Sequence, residues 1–459
     1  MKRIVIVGGG YAGFYTALGL ERKLIRSDEA EVILIDPRPY MTYQPFLPEV
    51  LAGSIEPRDA LVSLRKNLPR TRVISGSVVQ ITHADKAVIV RPYAGDDYAL
   101  SYDVIVVTAG VVTRTFPVAG LKQGAIGLKH VEEAIAIRNR LIASFDRAAA
   151  ELTVGPQRRR LLTAIVVGGG FTGVEGFGEL LSLAECLLPY YPELKREDLD
   201  LRLVQASNRI LPEVSERTAA RVLKSLERRG AQVHLNTQVV SAVNGRVVLS
   251  TGEQFDTNVI VWAAGNGANP IIAKHTDLPV DSRGFLIVRA DLRVGTEDLL
   301  IRDAWGAGDD ASVPDLSADS PTGRVVANAQ NAVRQGRLLA ANIVASLRGR
   351  SARQYVHRNL GTIATLGVGS GAFQSGRVGF TGFVAWLIHR AYHVYAVPTW
   401  ERKVRVLTGW CISALFGRDI VSIEDEQHPR AAFVRAGIPE HHTTFMCDES
   451  TTNEVVNTA

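Results

Sequence analysis

Cysteine is scarce. The 459-residue chain has three, Cys186, Cys411 and Cys447, far apart and in no C-x-x-C pair. That excludes a disulfide framework, a cysteine zinc site and a paired-thiol redox relay, and it fits a reducing, cytosolic setting. Long apolar runs are missing too. No stretch reaches 18 apolar residues, so no helix is expected to span a bilayer. Lys2-Arg3 leads straight into Ile4-Val5-Ile6-Val7-Gly8, which is too short for a signal peptide. Nor does one sign of charge dominate. The net charge is +5, and this mild balance gives no reason to expect a nucleic-acid partner.

What is present is enough apolar residue, 46%, for a large core, in a chain long enough for two or three domains. Its 41 glycines exceed an average composition and gather after apolar runs. Residues 2–7 form a short apolar run, followed by Gly8-Gly9-Gly10-Tyr11-Ala12-Gly13. Phe14 to Arg26 has helical spacing, and Glu31 to Ile35 is a second apolar strand ending at Asp36. This reads as a βαβ opening. The pattern returns 160 residues later. Leu161 to Val167 is apolar, Gly168-Gly169-Gly170-Phe171-Thr172-Gly173 follows, Val174 to Leu188 has helical spacing, and Leu199 to Val204 is again a strand. The repeat implies an α/β fold with two Rossmann-like, doubly wound domains, each with its own nucleotide. Pro156 to Arg160 reads as a basic joint ahead of the second unit. The segment after about 267 should complete the first domain, making it discontinuous.

Gly8-x-Gly10-x-x-Gly13 is a dinucleotide fingerprint. Gly8 allows the tight turn, Gly10 lets backbone approach a pyrophosphate, and Gly13 lets the helix pack on the strand. Tyr11 and Ala12 stand inside it. Asp36, 23 residues after Gly13, is placed to bind ribose hydroxyls. Gly168-x-Gly170-x-x-Gly173, with Phe171 and Thr172 inside it, has the same context, but its second strand ends at Gln205 instead of an acid. A carboxylate there would accept from a ribose 2′-hydroxyl and repel a 2′-phosphate. Gln205 binds ribose without that repulsion, and Arg209 is near in sequence. NADH is the expected donor, and NADPH stays open. Ala109-Gly110 and Ala264-Gly265 each follow an apolar strand and are expected beside a cofactor. In Gly306-Ala307-Gly308-Asp309, Gly308 and Asp309 fit a cofactor's polyol or pyrophosphate side, and an ordinary turn is the alternative.

From here the residues resemble a known family, the type II NADH dehydrogenases, single-subunit NADH:quinone oxidoreductases that do not pump protons. The resemblance runs over roughly 3–424. It rests on the two fingerprints, Asp36, Gln44-Pro45-Phe46-Leu47-Pro48-Glu49-Val50, Val174-Glu175, Trp262 to Gly265, Gly306 to Asp309 and Ala329-Gln330-Asn331-Ala332. It implies FAD in the first domain and NADH, with NADPH as the alternative, in the second. Gln44 and Pro45 would lie along the flavin ring, where related disulfide reductases carry a cysteine pair. Glu175 is implied near nicotinamide and quinone as a positioning or proton-delivering group; its alternative is a first-turn acid facing the helix dipole. Ala329 and Gln330 begin the family's quinone-site pattern, Ala-Gln-x-Ala-x-Gln. Its last Gln is replaced here by Arg334, with Gln335 beside it, and a helix packed on the flavin edge is the companion reading.

Residues 380–417 stand apart. Trp386, Trp400 and Trp410 lie among Phe383, Leu387, Tyr392, Tyr395, Leu415 and Phe416, and from Arg377 to Arg418 six basic residues meet one acid, Glu401. Pro398 divides the stretch into two helical pieces. This composition suits an amphipathic foot on a membrane surface; packing on the protein or a dimer partner is the alternative. His389 and His393 are an i, i+4 pair without a third ligand, read as interfacial polar residues with no metal. The expected partition is an FAD domain of 1–113 and 267–375, an NAD(P)H domain of 114–266, a membrane-association segment of 376–424 and a flexible tail of 425–459. The implied protein is a peripheral enzyme on the cytoplasmic side of the cell membrane. Its partners would be a quinone and, as the family is often dimeric, a second copy. A reductase with a protein acceptor, or a flavin-binding sensor without turnover, remain the rivals.

Overall fold

The computed structural model describes residues 1–24, 29–150, 154–296, 298–317, 323–357 and 361–422. The tail assigned to 425–459, with Cys447, lies outside the described residues.

Two parallel sheets organise the chain. The first runs through β1 (Lys2–Val7), β2 (Ala30–Asp36), β3 (Arg72–Thr82), β4 (Val104–Val107) and, from much later in sequence, β8 (Leu300–Gly306). Their spatial order is β8-β4-β1-β2-β3, all parallel, extended by antiparallel strands Ala87–Pro92 and Tyr98–Ser101 on one side and Arg293–Gly295 on the other. The second sheet has β5 (Thr163–Val167), β6 (Asp200–Val204) and β7 (Val259–Trp262), in the order β7-β5-β6, with parallel neighbours Ala125–Gly127 and Gln232–His234 at its edges. Ile4, Val5 and Ile6 are wholly buried, as is Ile165. Strands covered on both faces need no polar alternation, which is why both runs read as unbroken apolar stretches.

The turns after β1 and β5 are built alike. The Gly8 amide donates to the Ile35 carbonyl at 2.9 Å, and the Gly168 amide donates to that of Val204 at 2.8 Å. Both glycines have positive φ, +99° and +120°. A Cβ on either would stand 2.3 Å from the Thr108 carbonyl oxygen or 2.5 Å from that of Ala263. No other residue fits. The helices that follow are α1 (Tyr11–Lys23) and α3 (Phe171–Leu187). They begin three residues earlier than hydrophobic spacing suggests, because extended Gly10 and Gly170 serve as their caps. The basic joint is itself helical, over Gly155–Leu161.

Four further helices and a strand frame the site: α2 (Leu47–Leu51), α4 (Ala329–Leu347), β9 (Thr362–Thr365), then α5 (Phe383–Ala396) and α6 (Trp400–Phe416). Among the described residues no helix is long and apolar enough to cross a membrane. α5 and α6 leave apolar groups outside. Phe383, Leu387, Trp400, Leu415 and Phe416 are 61%, 53%, 78%, 78% and 83% exposed.

Candidate functional site

Each glycine turn is braced by the side chain at the end of its second strand. Asp36 Oδ2 accepts from the Gly9 amide at 2.7 Å, and Oδ1 accepts from the Arg38 amide at 2.7 Å. In the second turn Gln205 Oε1 accepts from the Gly169 amide at 2.8 Å, while its Nε2 donates to Ser207 Oγ at 2.5 Å. One residue type thus replaces the other in the same structural task. Asp36 has spare acceptor capacity for hydroxyls, and burial raises its pKa against the pull of the Gly9 and Arg38 amides. Gln205 is neutral, and the Arg209 guanidinium is turned onto the Pro212 carbonyl at 2.6 Å.

These turns fit dinucleotides by their shape. At Gly13 and Gly173 a Cβ would stand 1.9 Å from the carbonyl oxygens of Gly8 and Gly168, so helix and strand can only meet through glycine. At Gly10 and Gly170 no heavy atom lies within 4 Å of a Cβ position, and the same holds at Gly110 and Gly265. Those four glycines face open space, as backbone that must approach a phosphate or a ring requires.

Beside the first turn stands Ala109-Gly110, whose Ala109 amide donates to Asp310 Oδ2 at 2.7 Å. Asp310 was not singled out by sequence, which stopped at Asp309. It is buried, its other oxygen is unpartnered, and burial pushes its pKa up to about 7. Asp309 is raised by burial as well, opposed by Lys129. Lys129 is a second residue missed by sequence. Burial pushes its ammonium down to about 8 against Asp309 and Glu133, and its Nζ donates to Asn266 Oδ1 at 3.4 Å, one residue after Ala264-Gly265. It links the two turns.

Gln335, noted only as the neighbour of Arg334, is 2% exposed and accepts from the Gly308 amide at 2.8 Å. It fixes the Gly306–Asp309 turn to α4. Arg334 reaches back along the same helix to the Gln330 carbonyl at 3.1 Å and to Gln330 Oε1 at 3.4 Å. The departure from the family pattern therefore clasps Gln330 with a cation.

The loop from Tyr43 to Leu51 closes the site. Its Gln44 amide donates to Tyr11 Oη at 3.0 Å, which ties Gln44 and Pro45 to the first fingerprint helix. Glu49, on α2, accepts from Trp410 Nε1 at 2.6 Å and from Arg390 Nη2 at 3.4 Å. Burial still pushes it up to about 7. Arg390 lies over the rings of Trp386 and Trp410, 4.2 and 4.5 Å from their centres, so a cation–π sandwich locks α5 and α6 onto this loop.

Glu175 stands in the second turn of α3, not the first. Its Oε1 accepts from the Thr365 amide of β9 at 3.0 Å and lies 3.5 Å from His389 Nε2. Burial pushes it up to about 8, the Thr365 amide opposes, and Glu179 adds to the rise. His389 and His393 are not interfacial. They are 0% and 6% exposed, turned inward while the apolar side chains of α5 face out. His393 Nδ1 pairs with Tyr43 Oη at 2.9 Å. No group of three or more residues suited to hold a metal ion occurs among the described residues.

The family whose description is pyridine nucleotide-disulphide oxidoreductase matches residues 2–336. The chain belongs to that family. Relatives match it along nearly the whole length. The type II NADH:quinone oxidoreductase Ndh of Mycobacterium tuberculosis is 27% identical over 454 residues, covering 95% of this chain and 93% of that protein. The internal alternative NAD(P)H-ubiquinone oxidoreductase A1 of Arabidopsis thaliana is 25% identical over 456 residues, covering 92% of this chain and 86% of that protein. In structure the chain is similar to NDH2 of Plasmodium falciparum, solved in complex with NADH, with a TM-score of 0.83 at 17% identity over 92% of this chain and 99% of that one. The matched residues 2–336 include both glycine turns, and the loop from Gln44 to Val50 within them carries no cysteine.

Proposed function

We propose that the chain is a FAD-dependent NAD(P)H:quinone oxidoreductase of the type II, non-pumping kind. FAD would bind the domain formed by 1–113 and 267–375, and the nicotinamide nucleotide the domain of 114–266. FAD, when bound, supplies the two-electron relay between nicotinamide and quinone. The chain's own residues do the rest. The Gly8–Gly13 turn presents amides to the flavin's pyrophosphate, Asp36 takes ribose hydroxyls, and Ala109-Gly110 with Gly308, Asp309 and Asp310 lines the polyol side. Tyr11 holds Gln44 and Pro45 against the ring position. The Gly168–Gly173 turn, Gln205 and Ala264-Gly265 orient the nicotinamide nucleotide. Glu175 holds a proton at Oε1 or Oε2 near the reacting centre, and Gln330, clasped by Arg334, faces the quinone.

The observation that carries this reading is the loop from Tyr43 to Leu51. It holds no thiol, and it is wrapped by α5 and α6, whose outward faces are apolar. A site without a thiol relay needs an acceptor that reaches the ring directly, and an apolar outer face suits an acceptor dissolved in lipid. On this reading the protein sits peripherally on a membrane surface, on the cytoplasmic side, and the exposed apolar residues of α5 and α6 support the membrane contact.

Anaerobic reduction by NADH or NADPH, followed by a ubiquinone or menaquinone analogue, tests the reading through flavin absorbance. Bleaching followed by recovery on adding quinone is the expected result. Bleaching without recovery overturns the quinone and leaves a reductase with a protein acceptor. No bleaching with either donor overturns the enzyme.

A further inference from the structure

The C-terminal helix α5 buries what its sequence reads as a surface pair. His389 is wholly buried, and neither of its ring nitrogens has a hydrogen-bond partner. Each unmet polar atom in such a place costs about 1–3 kcal/mol. An apolar side chain would pack there at no such cost, so a packing role alone does not account for an imidazole. Its neighbours follow one another by successive contacts. Glu175 Oε1 is 3.5 Å from His389 Nε2. The ring centres of His389 and His393 are 4.3 Å apart, and His393 Nδ1 is 2.9 Å from Tyr43 Oη. Tyr43 adjoins Gln44, and its ring lies 6.0 Å from that of Tyr11. Glu175 is the one member open to solvent, with 12% of its side chain exposed.

We infer that His389, His393 and Tyr43 form a buried proton column that leads from Glu175, on the nicotinamide side, to the quinone side of the Gln44 loop. The inference rests on the quinone reading above. Its need is stoichiometric. A hydride brings two electrons and one proton, whereas a quinone becoming a quinol takes two electrons and two protons. The second proton comes from water through the protein. In the transfer the Tyr43 O–H bond breaks as a quinol O–H bond forms. The His393 Nδ1 proton passes to Tyr43 oxygen. His393 Nε2 takes the proton of His389 Nδ1, brought into reach by a turn of the His389 ring. His389 Nε2 takes the Glu175 carboxyl proton, and Glu175 recovers one from water. Every group ends with the charge it began with except Glu175, which is restored by solvent; both imidazoles end as Nε2–H tautomers and return to Nδ1–H by tautomer exchange before the next turnover.

Neutral rings suit this work. Burial, with Arg390 adding, pushes His389 down to about 3, and burial with His389 holds His393 well below the usual imidazole range. Neither traps the proton it passes. The charged and titratable groups around the column are Glu175 and Glu179 from α3, Glu49 from α2, Arg390 and Tyr392 from α5, Tyr11 from α1, and Arg418, whose Nη2 donates to Glu179 Oε2 at 3.2 Å. Glu175, His389 and His393 are positioning residues that act through Tyr43, the group that meets the quinone in this proposal.

The test uses the flavin-loaded enzyme, reduced with NADH and mixed anaerobically with a water-soluble ubiquinone analogue in H₂O and in D₂O. His389→Gln and Tyr43→Phe are expected to slow quinone-driven reoxidation by about ten- to a hundred-fold, the scale of a lost proton-transfer group. They are expected to slow NADH-driven reduction much less, and to enlarge the solvent isotope effect on reoxidation. Nitrogen-15 NMR of the oxidised holoenzyme supplies a readout apart from turnover: Glu175→Gln is expected to shift the tautomer balance of His389. If His389→Gln loses its flavin, Tyr43→Phe, which removes one hydroxyl, carries the kinetic test. Reoxidation and isotope effect equal to the parent in these variants overturn the column alone. A parent that quinone fails to reoxidise overturns the functional reading instead.

Discussion

Gln205 occupies the place where an acid would set the donor. Its Oε1 already serves the Gly169 amide at 2.8 Å, so Gln205→Glu keeps that acceptor, adds a negative charge and gives up the Nε2 donor, for which the Ser207 hydroxyl can donate to the new carboxylate instead. The charge would face a 2′-phosphate and spare a 2′-hydroxyl. We expect kcat/KM for NADPH to fall at least about ten-fold while that for NADH stays within a few-fold. Equal losses with both donors would mean that the side chain does not face the ribose. Glu175 supports a second test at this scale, through stability. Burial raises its folded pKa to about 8 from an ordinary 4.5. The native state therefore binds more protons than the unfolded chain between those values, and stability must fall as pH rises through that window. Below it the group costs nothing. Glu175→Gln keeps an acceptor for the Thr365 amide and removes the titration. The variant's melting temperature should match the parent near pH 4.5 and exceed it progressively towards pH 8, by a free energy on the order of a few kcal/mol. A pH-independent difference would show that Glu175 does not titrate in that range.

At the scale of elements, α5 and α6 are inverted relative to an ordinary surface helix. Histidines point in, and Leu387, Leu407 and Phe416 point out with 53%, 48% and 83% of their surfaces exposed. Replacing all three by Ser leaves no cavity. If this face enters lipid, each loses roughly 1.5–3 kcal/mol of burial. Flotation with vesicles containing anionic lipid should then drop at least ten-fold while the melting temperature stays near the parent's. Unchanged flotation would assign the face to another partner. The same inversion shows where sequence reading stops. The two glycine turns were legible because their strain is local: Gly8 and Gly168 take a positive φ, and a Cβ at Gly13 or Gly173 would meet the carbonyl five residues before it. The positions of Asp36 and Gln205 at the end of each second strand were legible from the fixed spacing, whereas their bracing of the Gly9 and Gly169 amides was not. The roles of His389, Tyr43, Thr365 and Asp310 were not, because each is defined by a partner far along the chain. Tyr43 meets His393 at a separation of 350 residues, and Ala109 meets Asp310 at 201. A period of 3.6 places two histidines on one face of a helix without saying what that face meets.

The whole molecule is one plan used twice, and the two copies should be separable. β1 and β5 each feed a glycine turn, each turn is braced from its second strand, and each opens at its middle glycine. The steric record at these positions makes the experiment clean. A Cβ at Gly10 or Gly170 meets no protein atom within 4 Å, so Gly10→Ala and Gly170→Ala should leave the apoprotein's fold and melting temperature near the parent's. What each methyl obstructs is a phosphate approaching the backbone. Gly10→Ala should purify with little FAD, and added FAD should raise its melting temperature far less than the parent's, for which saturation at a hundred times Kd contributes about 2.7 kcal/mol. Gly170→Ala should purify yellow, with the parent's flavin content, and require a much higher NADH concentration for bleaching. Absorbance of the purified proteins and an anaerobic NADH titration check both. Loss of flavin in both variants would mean that the second turn also supports the first site, through a link such as Lys129 between Asp309 and Asn266, and that the two halves of the chain bind their nucleotides as a single cooperative unit.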